Sequence, residues 1–282
     1  MSTPCPTAGI FISHQRSMRV WRHFRRLVHE TTGLIKWQFV LGSGNGVRSQ
    51  TRFRYPEPQT VLPSRFQQMQ HNGGIQPGFL DVVIVPCVLA LKGEHVWVME
   101  YDVDYSGCWA DFFAPLAETP ADVLTSTLVH VSECEDWAHW PTAAFPAWVD
   151  VRHVHRAFHP LMRLSSRFAR AYTMMMLDPD WGGHSEFTIP TAAAAAGAVL
   201  EDLGGEGTFT PPARWRASYE NTPSHPDLSP GTFVWRPARE HYFHECPQVF
   251  PVLDRLYHPV KPCGGAGPAG GARPFRDAQP PP

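Results

Sequence analysis

The chain has 282 residues, 43% of them hydrophobic and 12% aromatic, which is enough apolar material for a sizeable core and too much for a disordered chain. Lys plus Arg number 24 against 26 Asp plus Glu, and a net charge of -2 gives no long-range field for nucleic acid or an anionic membrane, so no nucleic-acid partner is expected. Six cysteines without a CxxC pair fit a reducing, cytoplasmic setting, and no segment approaches the ~20 apolar residues that a transmembrane helix needs.

Residues 1–8 read as a flexible N-terminus, and GIFISH, from Gly9 to His14, predicts a short strand. In the following MRVWRHFRRLVHE, Val20, Trp21, Phe24, Leu27 and Val28 recur at helical spacing, and Thr31, Thr32 and Gly33 end the helix. Its arginines Arg19, Arg22, Arg25 and Arg26, with Arg16 before them, fit either a solvated face or a patch for phosphate or lipid headgroups, and so admit peripheral membrane contact. Leu34 to Gly42 predicts a second strand. Strand, helix, strand is the start of a parallel α/β sheet with a right-handed crossover.

Residues 43–78, rich in Gly, Pro, Gln and Arg, predict loops around one short helix. Phe79 to Leu91 is apolar throughout and fits a buried helix or a strand, with Pro86 against a regular interior of either. Val96 to Glu100 predicts a central buried strand, Ala121 to Leu128 a further short element, and Phe158 to Leu164 another strand. Ser165 to Leu177 and the alanine-rich Pro190 to Leu200 predict helices. Residues 9–262 would then form a single domain, followed by a Gly/Pro-rich tail, 263–282, that cannot bury enough apolar surface to order itself.

In VWVMEYDVDYSG the central strand runs into Glu100, Asp102 and Asp104. Side chains alternate along a strand, so all three would share one side if the strand stayed extended that far. Like charges so placed repel unless a cation lies between them, and a hard divalent ion held with phosphate oxygens meets that need. The same acids also fit loop carboxylates paired with arginines or capping WADFF.

This strand, with EYDVDYSG and the WADFF that follows, resembles the metal-binding DxD region of GT-A-type nucleotide-diphospho-sugar glycosyltransferases. WGGHSEFTIPT, from Trp181 to Thr191, resembles the Gly-rich turn with an acid that precedes an acceptor-side helix in these enzymes; EDLGG, from Glu201 to Gly205, follows that helix. YHPVKP, from Tyr257 to Pro262, resembles the late histidine of their metal site with a lysine near the diphosphate. The resemblance spans roughly residues 9–262. It implies an α/β, Rossmann-like, mostly parallel central sheet flanked by helices, and transfer of a sugar from a nucleotide-sugar donor to a carbohydrate, lipid-linked or other small acceptor, with Mn²⁺ or Mg²⁺ as cofactor.

By the same resemblance Asp102, Asp104 and His258 hold the metal, Glu100 is an alternative first acid, and Lys261 counters the diphosphate. Glu186 is the candidate base for the acceptor hydroxyl, with His184 the second choice. Ser13, His14 and Arg16 fall where the nucleotide base and ribose would bind, and Arg163 could reach a phosphate or equally serve as a structural salt-bridge partner. WAHW, from Trp137 to Trp140, is either a sugar platform or a loop anchor. A metal-dependent hydrolase and an inactive nucleotide-sugar-binding module are the competing functions.

Overall fold

The computed structural model describes residues 7–15, 17–43, 46–49, 54–75, 78–221, 231–233, 243–244, 250 and 252–261. The tail expected at 263–282 lies outside the described residues. Thr7 and Ala8, expected to be flexible, belong to β1 (Thr7–Ser13).

In β1 the apolar run splits by alternation, Ile10 and Ile12 facing one apolar layer and Phe11 the other. A Cβ on Gly9 would come within 2.5 Å of the Trp37 ring, so only glycine permits this approach of β1 to β2 (Ile35–Ser43). Between them α1 (Met18–Glu30) is capped by Ser17, whose Oγ accepts from the Val20 amide at 3.2 Å. β3 (Gly46–Ser49), α2 (Pro58–Val61) and α3 (Pro63–His71) follow, where one short helix was expected.

The ambiguous apolar run is a helix, α4 (Asp81–Ala90), with Pro86 inside it. Burial from Val82 to Val88 outweighs the one backbone hydrogen bond that the proline removes. β4 (His95–Glu100) is the expected central strand, and after it come β5 (Asp104–Tyr105) and α5 (Trp109–Phe113). β6 (Val123–His130), β7 (His155–Ser165), α6 (Ser166–Met175) and α7 (Ser185–Ala195) continue the chain. α7 starts at Ser185, carries Pro190 internally and stops before Leu200, which opens β8 (Leu200–Asp202). Three short strands complete the described elements: β9 (Phe243–His244), β10 (Leu256–Tyr257) and β11 (Val260–Lys261).

The main sheet has seven strands in the order β3-β2-β1-β4-β7-β6-β8. β1, β2, β4, β6 and β8 run one way while β3 and β7 run against them, so the sheet is mixed but mostly parallel in direction. The chain leaves β1 toward β2 on one side and returns to β4 on the other. Sheets of this Rossmann-like kind bind ligands outside the carboxyl ends of the strands at such a reversal.

One face of the sheet packs on α4, α6 and α7 through Val83, Val98, Phe168 and Ile189; the other packs on α1 and α5 through Phe11, Phe39, Trp97 and Trp109. Among the described residues no helix is long and apolar enough to cross a membrane. A charged pair pins the first layer: Arg65 on α3 donates to both carboxylate oxygens of Asp81, at 2.7 and 3.2 Å, with neither side chain exposed. The Tyr172 hydroxyl donates to the same carboxylate at 2.8 Å and meets Thr188 at 2.8 Å, so the network joins α3, α4, α6 and α7.

Arg65→Ala would leave Asp81 buried and uncompensated. It should cost about 3–5 kcal/mol of unfolding free energy, measured by urea denaturation.

Candidate functional site

β4 ends at Glu100 because the chain turns there: Tyr101 donates its amide to Ile12 O at 2.9 Å, and Val103 donates to Glu100 O at 3.2 Å. β5 then leaves the main sheet and pairs antiparallel with β10. That pairing delivers His258 to the turn, and the Val260 amide donates to Asp102 O at 2.8 Å. Glu100, Asp102 and His258 thereby each offer one ligand atom within 4.8 Å of one another.

His258 Nε2 lies 3.7 Å from Asp102 Oδ1, and Lys261 Nζ donates to Asp102 Oδ2 at 2.7 Å. Asp102 Oδ1 is buried and makes no hydrogen bond among the described residues. Burial pushes the Asp102 pKa up, but the charges of His258 and Lys261 and the lysine hydrogen bond outweigh it and hold the carboxyl below its ordinary range. Two carboxylates and an imidazole, with one buried oxygen that accepts no hydrogen bond among the described residues, form a group that could hold a divalent metal ion.

Asp104, expected as a metal ligand, does not join this group. It sits on β5, beyond the turn, where Oδ1 accepts from Arg26 at 2.8 Å and from the Tyr105 amide at 2.7 Å. The strand does not stay extended past Glu100, so alternation no longer holds and Asp104 is carried to the α1 side. Glu100, the alternative first acid, takes its place beside Asp102.

Two arginines of α1 build this corner, although only their solvated or headgroup-binding readings were expected. Arg19, Arg26 and the intervening His23 recur at i, i+4 and i+7, the spacing of one helix face. Arg19 donates to Val260 O at 2.7 Å; Arg26 also donates to Tyr105 O at 3.0 Å, Gly107 O at 2.6 Å and Glu30 at 2.8 Å. Burial lowers the His23 pKa despite Asp104 at 3.9 Å.

At the carboxyl end of β1, Ser13 Oγ donates to Gln15 O at 2.9 Å and accepts from the Gln15 amide at 3.0 Å, closing a local turn. His14 is exposed and sets its ring edge-on to Tyr101 at 4.9 Å. Arg16 lies outside the described residues. Arg163 is not available to a phosphate: it is 1% exposed, pairs with Trp97 in register and donates to the carbonyls of Leu116 at 2.9 Å and Ala121 at 3.3 Å.

The Gly-rich turn lines an open pocket of about 500 Å³ with Gln68, His71, Phe79 and His139. Gly183 has φ +99° and a Cβ there would come within 2.5 Å of Thr142 O, so the turn requires glycine. His184 caps α7, its Nδ1 accepting the Glu186 amide at 3.2 Å, and Glu186 Oε2 lies 3.7 Å away. The His184 ring stacks on His139 at 4.5 Å. Trp137 is 4% exposed and Trp140 donates to Cys134 O at 2.7 Å, so the tryptophans of WAHW anchor their loop while His139 between them faces the pocket.

Phe158 and His159, consecutive on β7, face the acidic corner and the start of α7 from opposite sides of the strand. Phe158 meets the His258 ring at 5.1 Å. His159 meets Thr125 Oγ1 at 3.0 Å, and its titration is influenced by the Ser185 backbone at the start of α7. Burial pushes the His159 pKa down to about 4; burial, then the proximity of His139, pushes His184 down to about 3. α3 and Phe79 were not expected in the pocket, because the segment before α4 carries no periodic signal that would fix their placement.

No protein-family model matches this chain, and no curated protein matches it.

His159 and His184, whose pKa values fall furthest, make the fold sensitive to acid. Near pH 6.5 and below, the unfolded chain takes up protons at His159 and His184 that the folded chain takes up only near pH 4 and 3. Stability is therefore complete above about pH 6.5 and falls as pH drops toward 4. Thermal unfolding from pH 7 to 4.5 should show this slope, and His159→Gln should flatten it by up to ~1.4 kcal/mol per pH unit.

Proposed function

We propose that this chain is a divalent-metal-dependent GT-A-type glycosyltransferase that transfers a sugar from a nucleotide-diphosphate sugar to a hydroxyl acceptor. What supports the reading is the convergence of Glu100, Asp102 and His258 at the carboxyl ends of β1 and β4, with a buried Asp102 oxygen that accepts no hydrogen bond among the described residues. Glu100-Tyr101-Asp102 is itself an acid-x-acid sequence, so the proposed metal motif shifts two residues upstream of Asp102-Val103-Asp104.

Glu100, Asp102 and His258 would hold Mn²⁺ or Mg²⁺. When bound, that ion would neutralise charge building on the departing diphosphate. Lys261 keeps Asp102 ionised and adds a cation on the diphosphate side. Ser13, which ends β1, and His14, which follows it, would border the nucleoside. For an inverting transfer the acceptor oxygen bonds to the anomeric carbon, the bond from that carbon to the diphosphate oxygen breaks, and Glu186 takes the hydroxyl proton. Glu186 suits this role better than His184, which at a pKa of about 3 is a weak proton acceptor near neutrality.

Mn²⁺ together with a panel of UDP-, GDP-, CMP- and TDP-sugars should raise the melting temperature. Glu100→Ala, Asp102→Ala and His258→Ala should remove the Mn²⁺-dependent rise, whereas Asp104→Ala should lower the melting temperature and keep it. The reading fails if no nucleotide sugar stabilises the chain, or if Asp102→Ala leaves the Mn²⁺ response unchanged. Glu186→Gln should lower kcat by about 10²- to 10⁴-fold and leave the Mn²⁺ response intact.

A further inference from the structure

The inward face of α1 holds the acidic corner, and its outward face is left bare. Met18, Trp21, Arg22, Arg25, Val28 and His29 form one exposed stripe on this helix, Met18 at 73% exposure. The Trp21 ring lies flat on Phe39, with centroids at 4.9 Å and planes at 16°, which fixes the indole on the outer layer with its edge in solvent. The stripe carries no acid. The helix's single carboxylate, Glu30, is bound at its edge by Arg26 and by the Trp109 amide at 2.9 Å.

We propose that this stripe docks the protein on an anionic lipid surface. Large apolar side chains alternate with arginines along it, and that mixture fits the boundary between headgroups and acyl chains: arginines meet lipid phosphates while methionine, valine and the indole enter the apolar edge. A nucleic-acid surface would match the arginines but leave Met18 and Val28 without an apolar partner. Arg19 and Arg26, on the other side of the helix, touch Val260 and Asp104, so docking sets the candidate metal centre about one helix diameter, ~10 Å, from the headgroups. That placement suits an acceptor carried on a lipid. The docking itself does not depend on the glycosyltransferase reading.

The experiment is co-sedimentation of the full chain with phosphatidylcholine vesicles, with and without phosphatidylglycerol, in the absence of nucleotide and metal. The chain should partition onto the phosphatidylglycerol vesicles and leave them as salt rises. The double variant Arg22→Glu/Arg25→Glu should lose roughly tenfold or more in partition, and Met18→Ser should weaken it with the salt dependence retained. Both variants alter exposed side chains, and matching melting temperatures would show that they fold. The proposal is overturned if neither vesicle binds, if the double variant binds as the parent does, or if heparin or duplex DNA retains a chain that vesicles do not. An unchanged Mn²⁺ response in the double variant separates this result from failure of the catalytic reading.

Discussion

Three carboxylates within five residues cannot be folded together at the end of a buried strand, and the corner of the molecule is organised around separating them. The turn after Glu100 divides the acids into two groups with different cationic partners. Asp104 goes to Arg26 on α1, and Asp102 goes to Lys261 and His258. The cost of burying each charge without a partner is several kcal/mol, which ties α1, β4, β5 and the β10–β11 segment into one arrangement.

β4 can present this corner because it lies in the middle of the sheet with both faces covered. Val96 and Val98 face the layer of α4, α6 and α7, and Trp97 and Met99 face the layer of α1 and α5. The two layers differ in how they are locked. The first contains the Arg65–Asp81–Tyr172–Thr188 network, while the second relies on contacting rings such as Trp97, Trp109 and Phe113. β7, running against its neighbours, begins at the carboxyl edge and so places Phe158 beside the metal candidate and His159 near the start of α7.

α1 has distinct duties on its two sides, and its arginines divide accordingly. Arg19 and Arg26 serve as internal donors to backbone carbonyls and Asp104, and Arg22 and Arg25 remain at the surface. A reading of the helix by charge alone assigns all of them one role. The i, i+4, i+7 relation among Arg19, His23 and Arg26 carries the distinction, but it becomes interpretable only when something anionic or carbonyl-rich is known to face them.

Hydrophobic periodicity and local chemistry in the sequence determined β1, α1, β2, β4 and α6 nearly to the residue, the acidic end of β4, and the glycine turn before Glu186. These features depend on neighbours a few positions away, which is why a sequence exposes them. It also marked His258 and Lys261 as candidates, through resemblance. Only the tertiary structure decided which acids meet His258, because the answer depends on β10 pairing with β5 across some 150 intervening residues. It also decided that the α4 run is helical around Pro86, that Arg163 is an internal brace, and that His139 rather than the tryptophans beside it faces the pocket. Each of these outcomes is set by burial and long-range pairing, which weigh more than local preference wherever a charge or a proline must be enclosed.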